Sequence, residues 1–173
     1  IIGYQAMDAA DGCKSNNVAI GKAAMGAIDE GGSNNCDANI AIGTNALLGG
    51  TGDTAKCIAI GLGAVSATAG ENQEGTIGIG HAALNVLTSG VGNVAVGFQS
   101  QLAVTTGGYN TSLGHNALGT LVDGVRNTAI GYGAMLDTDS GTTVDASEDN
   151  TFVGYTAGGG AWANEKVENI VGV

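Results

Sequence analysis

A short phrase of polar and apolar positions recurs along this chain: Asn, a β-branched residue, a small residue, an aliphatic, then Gly. Full copies are Asn17-Val18-Ala19-Ile20-Gly21, Asn39-Ile40-Ala41-Ile42-Gly43, Asn93-Val94-Ala95-Val96-Gly97, Asn110-Thr111-Ser112-Leu113-Gly114, Asn127-Thr128-Ala129-Ile130-Gly131 and Asn150-Thr151-Phe152-Val153-Gly154. Two more replace Asn, in Cys57-Ile58-Ala59-Ile60-Gly61 and Thr76-Ile77-Gly78-Ile79-Gly80, and truncated copies stand at Ile2-Gly3 and Ile170-Val171-Gly172. Counting Gly3 and Gly172 with the others, the anchor glycines recur every 17 to 23 residues. Slots are numbered below from each anchor, negative toward the N-terminus. The plus-three slot holds Ala in every winding but one, where it is Ser100; plus-four is apolar except at Gln101 and Gly158.

A strand this short leaves its backbone groups unpaired when alone, whereas stacking equivalent strands in parallel satisfies them. The repeat therefore predicts a parallel β-solenoid whose windings each add about 4.8 Å along the axis. The minus-three and minus-one side chains share one strand face, and the small minus-two residue points the other way. Both faces are apolar, so one fills the winding and the other packs on a second chain. Gly21, Gly43, Gly61, Gly80, Gly97, Gly114, Gly131 and Gly154 are expected at a bend that a Cβ would block. Asn17, Asn39, Asn93, Asn110, Asn127 and Asn150 enter the strand, where their amides bond local backbone or stack as a ladder.

Between the phrases lie turn-rich tracts, the longest at 136–149 (LDTDSGTTVDASED). Insertions of this kind bulge from a solenoid and form its binding side. The repeat region is placed at 1–157. Residues 158–173, with the run Gly158-Gly159-Gly160-Ala161-Trp162, read as a decaying repeat, a cap or a junction. Both ends fall within the repeat, which suggests a segment of a longer polypeptide.

Composition narrows the function. With 32 Gly, no Pro and a net charge of −11, the chain suits neither a collagen helix nor a nucleic-acid or anionic-membrane partner. No apolar run is long enough to span a bilayer. No catalytic constellation is present, and the reading is not an enzyme. His81 and His115 share the plus-one slot two windings apart, roughly 10 Å by strand spacing, too far for one metal within a chain. Cys13 and Cys36 occupy near-equivalent places in adjacent windings and could form a disulfide in an oxidising compartment, leaving Cys57 over. Asp137, Asp139 and Asp145 are a candidate calcium loop without the EF-hand pattern, and no other cofactor is expected.

The phrase Asn-x-Ala-Ile-Gly, followed by Ala or Ser three residues on, resembles the head repeats of trimeric autotransporter adhesins and the repeats of bacteriophage tail-fibre and tailspike-associated proteins. The resemblance covers nearly the whole chain, although these windings are longer than those of adhesin heads and closer to the phage type. It implies an all-β, left-handed parallel β-roll, three chains side by side, in an extracellular fibre on a bacterial cell surface or a virion. A homotrimeric structural segment whose loops meet a glycan or protein receptor is the functional expectation. The alternative is a self-assembling extracellular filament joined end to end by solenoid strands.

Overall fold

The computed structural model describes residues 1–8, 15–28, 36–50, 54–66, 72–136, 147–160 and 168–173. Eleven short strands follow one another: β1 (Val18–Ile20), β2 (Ala27–Ile28), β3 (Ile40–Ile42), β4 (Gly49–Gly50), β5 (Ile58–Ile60), β6 (Ile77–Ile79), β7 (Val94–Val96), β8 (Thr111–Leu113), β9 (Thr128–Ile130), β10 (Thr151–Val153) and β11 (Val171–Gly172). Nine of them stack in the order β1-β3-β5-β6-β7-β8-β9-β10-β11 into one sheet, and β2 pairs with β4 beside it. Every pairing is parallel. Among the described residues there is no helix. Register is kept slot for slot: Ala41 stands opposite Ala59, and Ile42 opposite Ile60. The molecule is a β-solenoid.

The anchor glycines stand in file along the stack. A Cβ on Gly21 would lie 2.6 Å from the carbonyl oxygen of Gly43, and one on Gly97 would lie 2.3 Å from that of Gly114. Their φ values, +131° and +139°, are equally hostile to a side chain. Gly172 does not belong to this row. Phe152 pairs with Gly172 and Thr151 with Val171, so Gly172 fills the minus-two slot of its winding. The physical reason is Phe152 itself, whose ring replaces the usual Ala; a Cβ on Gly172 would come within 2.5 Å of its Cδ1.

Two left-handed residues follow each anchor, at plus-two and plus-four, and a third precedes each strand at minus-five. Few of them are glycine. Gln99 (φ 53°), Gln101 (φ 51°), Tyr109 (φ 59°) and even β-branched Val65 (φ 48°) adopt this conformation, which costs about 1 kcal/mol for an L-residue. What offsets it is bonding from winding to winding through the turn. The Gln99 amide donates to the His81 carbonyl at 2.9 Å, and the Gln101 amide donates to the Ala117 carbonyl at 2.9 Å. The plus-two and plus-four amides of the bend are thus bonded between neighbouring windings, as strand amides are.

The interior is narrow because alanines line it from two sides: Ala19, Ala41, Ala59, Ala95 and Ala129 at minus-two, and Ala24, Ala46, Ala64, Ala83, Ala117 and Ala134 at plus-three, all fully buried. Met25, Leu47, Val65, Leu84, Leu118 and Met135 at plus-four fill the space between them. One winding departs from this pattern. Ser100 and Ser112 meet at 2.6 Å across the interior. The Gln101 amide nitrogen donates to the Val94 carbonyl and to the Ser112 hydroxyl, both at 2.9 Å. This polar layer separates two apolar clusters, one running from Ala19 to Val104 and the other from Ala117 to Phe152.

Candidate self-association face

The alternation of each strand decides which apolar face looks inward. Minus-two residues enter the core, so the larger minus-three and minus-one side chains project from the outer face of the sheet. Val18, Ile20, Leu113 and Val153 are exposed there, and Ile40, Ile42, Ile58, Ile60, Ile77, Ile79, Val94, Val96 and Ile130 are half-buried by one another. Toward the C-terminal end, Thr111, Thr128 and Thr151 take the minus-three slot.

The bend at each anchor adds a further outward row at plus-one. His81, Phe98, His115, Tyr132 and Tyr155 stack ring on ring, with centroids 4.8 to 5.3 Å apart and planes within 18° of parallel. Equivalence of slots brings them together: the rise per winding falls within the centroid spacing of a stacked ring pair. The two histidines sandwich Phe98 and do not face one another. With Leu62 and Tyr4, both exposed, this row borders the aliphatic one.

Length and width follow from strand geometry. Eight steps at about 4.8 Å, by three rows about 7 Å apart, give an outward apolar strip of roughly 600 Å². That is the upper end of what a monomer leaves uncovered, and it approaches the ~800 Å² each partner buries in a stable complex.

Charge singles out the same strip. The chain carries 16 acids, yet none lies between minus-four and plus-four of any winding. The one Lys or Arg among those slots is Lys22 at plus-one. Ion pairs sit elsewhere: Lys56 with Glu74, and Arg126 with Glu148 and Asp149, all at minus-five or minus-six. These pairs are largely exposed and contribute little to stability. The sequence alone shows this exclusion at every anchor but Gly172, from which Glu168 stands at minus-four; the register that moves Gly172 to minus-two puts Glu168 at minus-six.

Behind the strip runs the asparagine row. The Asn93 side-chain oxygen accepts from the Asn110 backbone amide at 3.0 Å, and Asn110 in turn accepts from Asn127 at 2.9 Å. The Asn110 and Asn127 side-chain nitrogens each donate to a turn carbonyl, of Gly124 and Ser147, at 2.7 Å. Asn17 accepts from Asn39, and Asn150 accepts from Ile170. Both expected roles, ladder and local backbone bonding, are filled by the same amides. Where Cys57 interrupts the row, its thiol donates to the Gln73 carbonyl at 3.0 Å, and burial pushes its pKa up to about 11.

Cys36 is disulfide-bonded and Cys57 is a free, buried thiol. Cys13 lies outside the described residues, as do Asp137, Asp139 and Asp145 and most of the long acidic tract. Among the described residues no pocket forms, and no three His, Cys, Asp or Glu side chains gather where they could hold a metal. No described helix is long and apolar enough to cross a membrane. No family model, curated protein or solved structure matches the chain.

Proposed function

We propose that the chain is a non-catalytic structural segment of a homotrimeric extracellular fibre, on a bacterial surface or a virion, whose turns present contacts to a glycan or protein receptor. The observation that carries this reading is the acid-free apolar strip. A chain of net charge −11 repels its own copies except through a surface from which carboxylates are absent. A basic partner would instead be met by acids, and water alone gives no reason to keep acids from these slots while crowding them into the turns. The long file of windings suits a shaft, and side insertions such as 136–149 suit receptor contact. The disulfide at Cys36 supports an oxidising location.

Sedimentation of the chain under native conditions tests the reading. Wild type is expected to sediment as a trimer. Ile79→Lys, which places a charge on the strip without entering the core, is expected to give a folded monomer. A wild-type chain that remains monomeric at every concentration sinks the proposal, and open-ended growth favours an end-to-end filament.

A further inference from the structure

We infer that self-association through the outward strip is weakened by acid through His81 and His115. This regulation rests on the homomeric reading above. The two imidazoles lie on opposite faces of Phe98, with ring centroids 5.0 and 4.8 Å away, and His115 also stacks on Tyr132 at 5.1 Å. Both are exposed in the single chain and border the apolar rows.

What surrounds them decides the sign. On their own row the other titratable or charged groups are Tyr4, Lys22, Tyr132 and Tyr155. The flanking plus-two row offers Gln5, Asn45, Gln99, Asn116 and Thr156, and the minus-one and minus-three rows carry only aliphatics and Thr. The described ion pairs, Lys56 with Glu74 and Arg126 with Glu148 and Asp149, stand at the opposite end of the strand. Among the described residues, therefore, no carboxylate is at hand to balance an imidazolium.

In a free chain water solvates that charge. In an assembly the strip loses water, so the charged form is penalised by desolvation. Stacking of an imidazolium on Phe98 is favourable, but it exists within one chain before and after association and cancels. Association is complete above the histidine range and is lost as pH falls through it. Acids elsewhere work the other way, since their protonation lowers the mutual repulsion of the chains.

Sedimentation of the full chain at about pH 7.5 and about pH 5.5, comparing wild type with His81→Phe/His115→Phe, tests this. Phenylalanine already stacks in the row at Phe98, so the variant keeps the ladder and removes only the titration. The apparent dissociation constant of wild type is expected to rise at least about tenfold at the lower pH, and that of the variant less than about twofold. A trimer equally tight at both values, or a variant that follows wild type, overturns the inference and leaves self-association standing. A wild-type monomer at the higher pH overturns the parent reading and this one with it.

Discussion

Gly97 and Gln99 stand two residues apart in one bend and answer opposite demands of the backbone. Gly97 has no room for a side chain, because a Cβ would meet the Gly114 carbonyl oxygen at 2.3 Å in an unfavourable φ of +139°. Gly97→Ala is expected to cost at least about 2 kcal/mol, read as a lowered denaturant midpoint. Gln99 has room but sits at φ 53°, and Gly63 and Gly133 fill the same slot in other windings. Gln99→Gly should raise stability by up to about 1 kcal/mol, less what glycine adds to the unfolded chain's freedom. The anchors could be read from spacing. Left-handed Gln99, Leu84 and Val65 could not, because these residue types give no local sign of that conformation and adopt it only to complete bonds between windings. Cys57 supplies a test in pH. Below about pH 9 the thiol is protonated in both states, whereas between there and its folded pKa of about 11 only the unfolded chain ionises. Its contribution to stability therefore falls as pH climbs through that window, a slope that Cys57→Ala should abolish. In the native state at about pH 8 the thiol should resist alkylation that the denatured chain undergoes at once.

At the scale of the winding, the unit of stability is the layer across the interior. Ser100, Gln101 and Ser112 replace Ala, an aliphatic and Ala together; the two hydroxyls and the Gln101 nitrogen bond one another within the winding, while the Gln101 side-chain oxygen is buried without a partner. Ser112→Ala removes one partner and leaves Gln101 and Ser100 short, at an expected cost of about 1 to 3 kcal/mol. The combined Ser100→Ala/Gln101→Leu/Ser112→Ala variant restores the pattern of the other windings and should be at least as stable as wild type within about 1 kcal/mol; thermal unfolding of the two variants side by side distinguishes them. Sequence alone showed both strand faces to be apolar and left open which one turns inward. The width of the winding decides it, since facing alanines leave room for one aliphatic between them and none for two rows of Ile. The same width explains the displaced Gly172: Phe152 takes the volume that Ala and an aliphatic occupy elsewhere, and Gly158 and Gly172 give way around its ring.

For the whole molecule, the segregation of charge bears on the proposed self-association. Each chain carries a formal −11 with its acids outside the strip slots, so long-range repulsion would oppose the contact proposed for the strip. Raising ionic strength from about 0.05 M to about 0.5 M shortens the screening length from roughly 14 Å to roughly 4 Å and should tighten self-association, measurable as a lower dissociation constant. A contact held by ion pairs would loosen instead. The solenoid itself was legible because every winding repeats the same vote, and one irregular winding cannot outweigh the others. The outward strip was half-legible: its hydrophobicity could be seen, but the stacked ring row at plus-one emerges only when the bend places those slots in file.

The unbroken file of anchor glycines also governs how such a rod can change length. Even a single Cβ at these positions would overlap the next turn's carbonyl, so nothing can be wedged between turns, and added residues can only swell sideways. Elongation must then proceed by whole increments of about 4.8 Å. A gene that gains or loses one phrase lengthens or shortens the rod by one notch, as a ruler would, while a surplus of a few residues alters its girth and leaves its reach untouched.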